Sequence, residues 1–102
     1  AHMDTIRLLD GADELGRILS ARRQVQRLVT GHVHRSVLFT FSGIPCQIAP
    51  SVAHQVALDL TPGGPAAFNL GPPAMLLHRW DKLQGLATHM AYVDEAPGPY
   101  RF

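Results

Sequence analysis

Apolar residues recur at two different periods along this chain. In the first quarter Leu15, Ile18 and Leu19 follow helical spacing, which predicts a helix from Asp10 to about Arg22. Asp10 is placed to cap its first turn through a side-chain oxygen, while Asp13 and Glu14 near the start and Arg22 and Arg23 near the end complement the helix dipole. From Val25 the period shortens to two. Val25, Arg27 and Val29 alternate with Gln26, Leu28 and Thr30, predicting a strand over 25–30 that stops at Gly31. Val37, Phe39 and Phe41 then share one face, and Ile44, Cys46 and Ile48 form a matching stripe beyond Ser42-Gly43. This is the pattern of a β-hairpin closed by a tight two-residue turn. Pro45 has no N–H to give to a ladder and predicts that the returning strand has an edge.

Pro50-Ser51 breaks the extended run, and the β-branched and apolar stretch over 52–60 predicts a further strand. Residues 61–73 hold four prolines and three glycines and predict a loop with a packed Phe68. Residues 74–80 and 83–93 predict a last hairpin around Asp81-Lys82, and the Pro97-Gly98-Pro99-Tyr100 ending is too turn-prone for a strand. No internal repeat interrupts this order. One early helix followed by strands and hairpins gives an α+β fold class.

Composition narrows the function more than the fold. At 102 residues the chain suits one domain, with a core burying roughly two-thirds of its unfolded surface. Apolar residues make up 46% and charged residues 17%, which excludes a disordered acidic or basic tail. Nine Lys+Arg against eight Asp+Glu leave a net charge of +1, too little to neutralise a run of phosphates, so the composition argues against nucleic acid as a partner. No apolar run approaches the roughly 20 residues that span a bilayer, and no signal peptide is recognised, so no membrane partner and a cytoplasmic location are expected. Cys46 is the only cysteine, which rules out an internal disulfide or a cysteine-rich zinc site and points to a small core hydrophobe. The six histidines are the feature to pursue. Ala1-His2-Met3 reads as an expression-vector scar, which sets His2 aside.

His32 and His34 lie at i and i+2 behind Gly31. In extended chain such residues project to the same side, and imidazole nitrogen suits zinc, iron and manganese-type ions. A His-x-His at a strand end is more often a surface feature than a metal site, so the spacing alone favours the surface reading. Context separates them. The helix, the strand ending in Gly31-His32-Val33-His34-Arg35, the hairpin, the Pro50-to-Leu60 segment with His54-Gln55, the Pro72-to-Trp80 segment and the Pro97-Gly98-Pro99-Tyr100 ending together resemble the C-terminal part of calcineurin-like metallophosphoesterases. The nearest likeness is to bacterial class III cyclic-nucleotide phosphodiesterases and glycerophosphodiesterases.

That resemblance implies a C-terminal fragment of an αββα sandwich, residues 4–102, including strands of a cap and a subunit contact. It implies that His32 ligates the second and His34 the first of two divalent or trivalent ions of Fe, Mn, Zn or Co type, and that His54 lines the substrate pocket. The family's Asp-x-His, Gly-Asp and Gly-Asn-His motifs are missing from these 102 residues. Met3-Asp4-Thr5 is similar to the segment just past a further ligand histidine. The expectation is therefore a chain that lacks the N-terminal half of its enzyme, holds no stoichiometric metal and is inactive alone. The parent would hydrolyse a small phosphodiester, either a 3′,5′-cyclic nucleotide such as cAMP or a glycerophosphodiester.

The alternative is a cap or dimerisation module, and with its sheet uncovered the chain is expected to form a homo-oligomer. A self-contained metal protein would need more donors, for which Asp4, Asp10 and Asp59 are the candidates. Arg35 reads as a solvated arginine before a phosphate ligand, and His78 and His89 read as structural. Trp80, Tyr92, Tyr100 and Phe102 are expected to fill the sheet or a subunit contact.

Overall fold

The computed structural model describes Leu8 and residues 10–102. The scar and Asp4 lie outside the described residues. The fold is α+β, as the periodicities predict: one helix, α1 (Ala12–Ser20), precedes β1 (Leu28–Thr30), β2 (Val37–Phe41), β3 (Ile44–Ile48), β4 (Gln55–Val56), β5 (Phe68–Asn69), β6 (Ala74–Asp81) and β7 (Gly85–Tyr92). All described pairings are antiparallel except β1 with β3, which run parallel with Leu28 opposite Cys46.

α1 is shorter than the predicted 10–22 span and is not capped by Asp10. Gly11 takes the cap position with left-handed backbone (φ 76°), its carbonyl accepts the Leu15 N–H at 2.9 Å, and no side chain caps the turn. Only glycine adopts that backbone without steric cost, so the helix starts where Gly11 lets the chain turn. Leu15 and Leu19 are half-buried and Ile18 is exposed; the buried position is Gly16. A Cβ there would collide with the Ser42 hydroxyl of the β2–β3 turn, so the absence of a side chain is what admits the close approach.

β1 is half the predicted 25–30 strand. The Val25 N–H is spent on the Arg22 carbonyl at 3.2 Å, so the turn after α1 consumes the first positions. The β2–β3 hairpin follows the sequence pattern, with Phe41 opposite Ile44 and both Ser42 (φ 48°) and Gly43 (φ 77°) left-handed. Two left-handed residues match the twist of the flanking strands. Pro45 does not make β3 an edge: the sheet order is β1-β3-β2, with β3 central. Pro45 is tolerated because β1 begins only opposite Cys46, so no β1 carbonyl waits for the missing N–H.

The predicted strand over 52–60 reduces to β4. Residues 51–55 turn instead: Gln55 Nε2 donates to the Ser51 carbonyl at 2.6 Å, the Ser51 N–H to Gln55 Oε1 at 3.3 Å, and the Ala53 N–H to Ser51 Oγ at 3.0 Å. Downstream, the Thr61 N–H bonds the Asp59 carboxylate at 2.8 Å and bends the chain again. Within the proline loop, Phe68 is largely exposed rather than packed in the core and sits in β5, paired with β4. The last hairpin forms as predicted, with its first strand one residue longer and its second shorter at both ends. β6 runs to Asp81, whose carboxylate accepts the Leu83 and Gln84 N–H groups at 2.8 and 3.0 Å, and β7 resumes at Gly85 (φ 81°), leaving a three-residue loop.

The core is far smaller than a self-sufficient domain of this length would have. Among the described residues the buried hydrophobic side chains are Ile44, Cys46 and Ala74, with Cys46 only 1% exposed, in keeping with its expected core role. The chain is flat, 47 × 45 × 19 Å, with a radius of gyration of 16.4 Å against about 13 Å for a compact domain. Its 8274 Å² of accessible surface exceeds the roughly 5,700 Å² of a compact monomer of this mass. Trp80, Tyr92, Tyr100 and Phe102 are all exposed within this chain, contrary to a role in filling its sheet.

The β6–β7 hairpin joins the rest at its base, where the Ala74 N–H bonds the Ser51 carbonyl at 3.1 Å, and through Arg27, whose guanidinium donates to the Thr88 hydroxyl. Among the described residues no helix is long and apolar enough to cross a membrane.

Candidate functional site

β1 delivers the chain to Gly31, and the segment that follows does not continue as a strand. It bends, with His32 at φ 79° and His34 at φ 53°. The expectation of an extended His-x-His projecting two rings to one side is therefore corrected, because left-handed backbone breaks strand alternation. For residues with a Cβ such backbone costs about 1–3 kcal/mol each and persists where surrounding contacts impose it, with a concentration at functional sites.

Those contacts come from the segment that carries His54. The Val56 N–H donates to the His34 carbonyl at 3.1 Å, and Arg35 Nη1 donates to the Val56 carbonyl at 3.1 Å. The Ser51–Gln55 turn aims His54 back toward the loop. As a result His34 Nδ1 and His54 Nε2 lie 3.1 Å apart, with ring centroids 4.6 Å apart and tilted by 54°. Phe68 of β5 also packs near His54, its ring centroid 5.0 Å away at 60°. His34 and His54 are half-buried, whereas His32 is exposed.

The structure thus brings together two of the three sequence-predicted site residues, His34 and His54. Among the described residues His32 makes no side-chain hydrogen bond. Two further residues belong to the site that sequence reasoning did not assign to it. Phe68 stood out only as an apolar residue in a proline loop, and Arg35 read as solvated; nothing in their spacing pointed to His54 or Val56.

Neutral imidazoles each carry one donor and one acceptor nitrogen, so the 3.1 Å pair forms one hydrogen bond whose direction depends on tautomer. If His34 Nδ1–H donates to His54, the lone pair on His34 Nε2 is free for a ligand; in the opposite sense Nε2 carries a hydrogen. His54 therefore controls whether His34 can act as a donor atom to a metal. No cluster of three or more His, Cys, Asp or Glu side chains suited to a metal exists among the described residues. Asp59, a candidate for a self-contained site, has its carboxylate occupied: the Thr61 N–H holds its carboxyl below the usual carboxylate range. His78 Nδ1 is 2.8 Å from the Thr88 hydroxyl across the last hairpin, and His89 is exposed on its opposite face.

No family model matches the chain. Two curated proteins do. Over 101 residues, 99% of the chain, it is 42% identical to a protein named "Probable glycerophosphodiester phosphodiesterase GpdQ" from Arcobacter nitrofigilis, covering 37% of that protein. Over 72 residues, 71% of the chain, it is 38% identical to a "Probable cyclic nucleotide phosphodiesterase" from Rhodopseudomonas palustris, covering 26% of that protein. The chain spans well under half the length of either relative. It is a homologue of one part of these phosphodiesterases, in agreement with the resemblance its motifs carry.

Proposed function

We propose that this chain is the part of a dinuclear-metal phosphodiesterase that supplies two imidazole ligands, His32 and His34, together with His54 in the substrate pocket, and that it is inactive alone. The observation that carries the reading is the His34–His54 contact at 3.1 Å, set in a loop where both His32 and His34 adopt left-handed backbone. A ligand histidine needs its second ring nitrogen engaged by a partner that fixes tautomer and orientation, and His54 is such a partner for His34. The donor set fits an Fe-, Mn-, Zn- or Co-type ion in kind, since imidazole suits all of them, but two neutral nitrogens balance no charge and hold no ion pair. The remaining ligands, carboxylates among them, would come from the rest of the enzyme.

When bound, two such ions supply Lewis acidity at the phosphoryl group and acidify the attacking water. This chain's own residues do the rest of what it contributes. His32 and His34 hold donor atoms past the end of β1, His54 holds the His34 ring and offers its remaining nitrogen to the pocket, and Phe68 packs near the His54 ring. The proposed substrate is a small phosphodiester, a glycerophosphodiester or a 3′,5′-cyclic nucleotide, the activities named in the two relatives. The test is Mn²⁺-supported hydrolysis of bis(p-nitrophenyl) phosphate, for which no turnover is expected from the isolated chain. Turnover abolished by His34→Ala, or a stoichiometric bound metal, would overturn the reading.

A second reading is favoured by a separate observation. The last hairpin exposes Met75, Leu77, Trp80, Leu83, Met90 and Tyr92, on a chain whose accessible surface already exceeds that of a compact monomer. Met75 and Leu77 lie on one face of the hairpin and Trp80, Met90 and Tyr92 on the other, so both faces offer apolar surface that favours self-association. In this reading the chain is a cap or dimerisation module that forms a homo-oligomer without catalysis of its own. Sedimentation velocity at high micromolar concentration is expected to show a dimer or larger species, and a monomer there excludes it.

A further inference from the structure

We propose that Arg35 is a positioning residue that sets the His34–His54 pair, rather than a solvated cation or a phosphate ligand. In a strand, the N–H and C=O of one residue point to the same side. At Val56 both point away from β5 and toward the His34–Arg35 segment: the N–H donates to the His34 carbonyl at 3.1 Å and the C=O accepts from Arg35 Nη1 at 3.1 Å. The guanidinium thereby stands where the backbone N–H of a neighbouring strand would stand. One backbone hydrogen bond is a pivot, and the second contact turns it into a two-point attachment.

That attachment matters because β4 is only two residues long and its pairing with β5 fixes it to Phe68–Asn69, not to the histidine loop. Among the described residues the backbone register of the 54–56 segment against the 34–35 segment is held at Val56, and that register decides whether His54 Nε2 falls within hydrogen-bond distance of His34 Nδ1. Arg35 is half-buried and one residue from His34, so its side chain spans to Val56 while its backbone continues the loop. Its role for the pair follows from this geometry; its importance for catalysis rests on the function proposed above.

The experiment is ¹⁵N NMR of the histidine rings and amides in the metal-free chain, for the native sequence, Arg35→Met and Arg35→Lys. In the native chain, one hydrogen-bonded nitrogen from each of His34 and His54 is expected. Arg35→Met is expected to replace that signature with averaged tautomers and to speed Val56 amide exchange about fivefold, the equivalent of one net hydrogen bond, while β2–β3 amides stay native. Arg35→Lys, which keeps a donor for the Val56 carbonyl, is expected to retain most of the signature. Retention of the native ring signals in Arg35→Met overturns the proposal, as does their loss in Arg35→Lys. Should Arg35→Met fail to fold, the Lys variant alone decides. Zn²⁺ in millimolar excess, enough to fill even the loose site that two imidazoles make, separates the two readings: unchanged His34 ring signals under that excess refute the ligand role and leave the Arg35 result standing.

Discussion

His34 and His54 are twenty positions apart, yet their ring nitrogens meet at 3.1 Å, and the contact leaves one nitrogen of His34 uncommitted. Loss of the partner should therefore be felt as loss of metal affinity. His54→Ala is expected to weaken the loose Zn²⁺ binding that the chain's imidazoles provide 10–100-fold, the usual cost of removing the group that orients a ligand histidine. Isothermal titration with and without the substitution measures it, and equal affinities would mean that His54 does not act on the His34 ring.

Among the described residues Arg27 bonds the last hairpin through its donation to the Thr88 hydroxyl, while its Nε is buried with no hydrogen-bond partner there. Thr88→Val removes the acceptor of a partly desolvated guanidinium and the partner of His78 Nδ1, and is expected to destabilise the chain by about 1–3 kcal/mol. Urea denaturation followed by the fluorescence of Trp80, the single tryptophan and a resident of β6, reads both the loss and whether the hairpin detaches first.

Burial pushes the Cys46 thiol up. A thiol that ionises later in the folded than in the unfolded state lets the unfolded chain release its proton first. Stability is therefore full below about pH 8.5, the unfolded thiol's value, and falls as pH rises through it toward the folded value. Cys46→Ala is expected to flatten that alkaline decline, and thiol reagents should react with Cys46 only at the rate at which the sheet opens. Rapid modification under native conditions would contradict the burial.

Asp59 carries the opposite sign. The Thr61 N–H holds its carboxyl below the usual range, so its contribution is present above about pH 4 and is lost as pH falls through the lower folded value. In Asp59→Ala the acid limb of the stability curve should be shallower in that window. A carboxyl ¹³C titration of the native chain should place Asp59 below a typical aspartate, and an ordinary value there removes the prediction.

The isolated elements with strong periodicity were legible without coordinates: the helix over Leu15–Leu19, the Val37–Ile48 hairpin with its Ser42-Gly43 turn, the last hairpin and the buried Cys46. Errors gathered where a side chain's bond to nearby backbone outweighed β propensity. Ser51 with Gln55 and Asp59 with Thr61 turned the predicted 52–60 strand into two bends around a two-residue β4. Composition does not set the size of the core either, since 46% apolar residues says how much could be buried and not what is available to bury it against.

By itself the amino-acid order determined the α+β class, the histidines worth attention and the likeness to phosphodiesterases, because periodicity and motif spacing are local properties. Only the tertiary structure decided that β3 is central despite Pro45, that His34 pairs with His54 and not with His32, and that Arg35 and Phe68 serve the same place. Those relations join residues 14 to 21 positions apart, from His54–Phe68 to Arg35–Val56, through backbone register and left-handed turns, and register is settled by packing and hydrogen bonding between segments, which no single segment encodes.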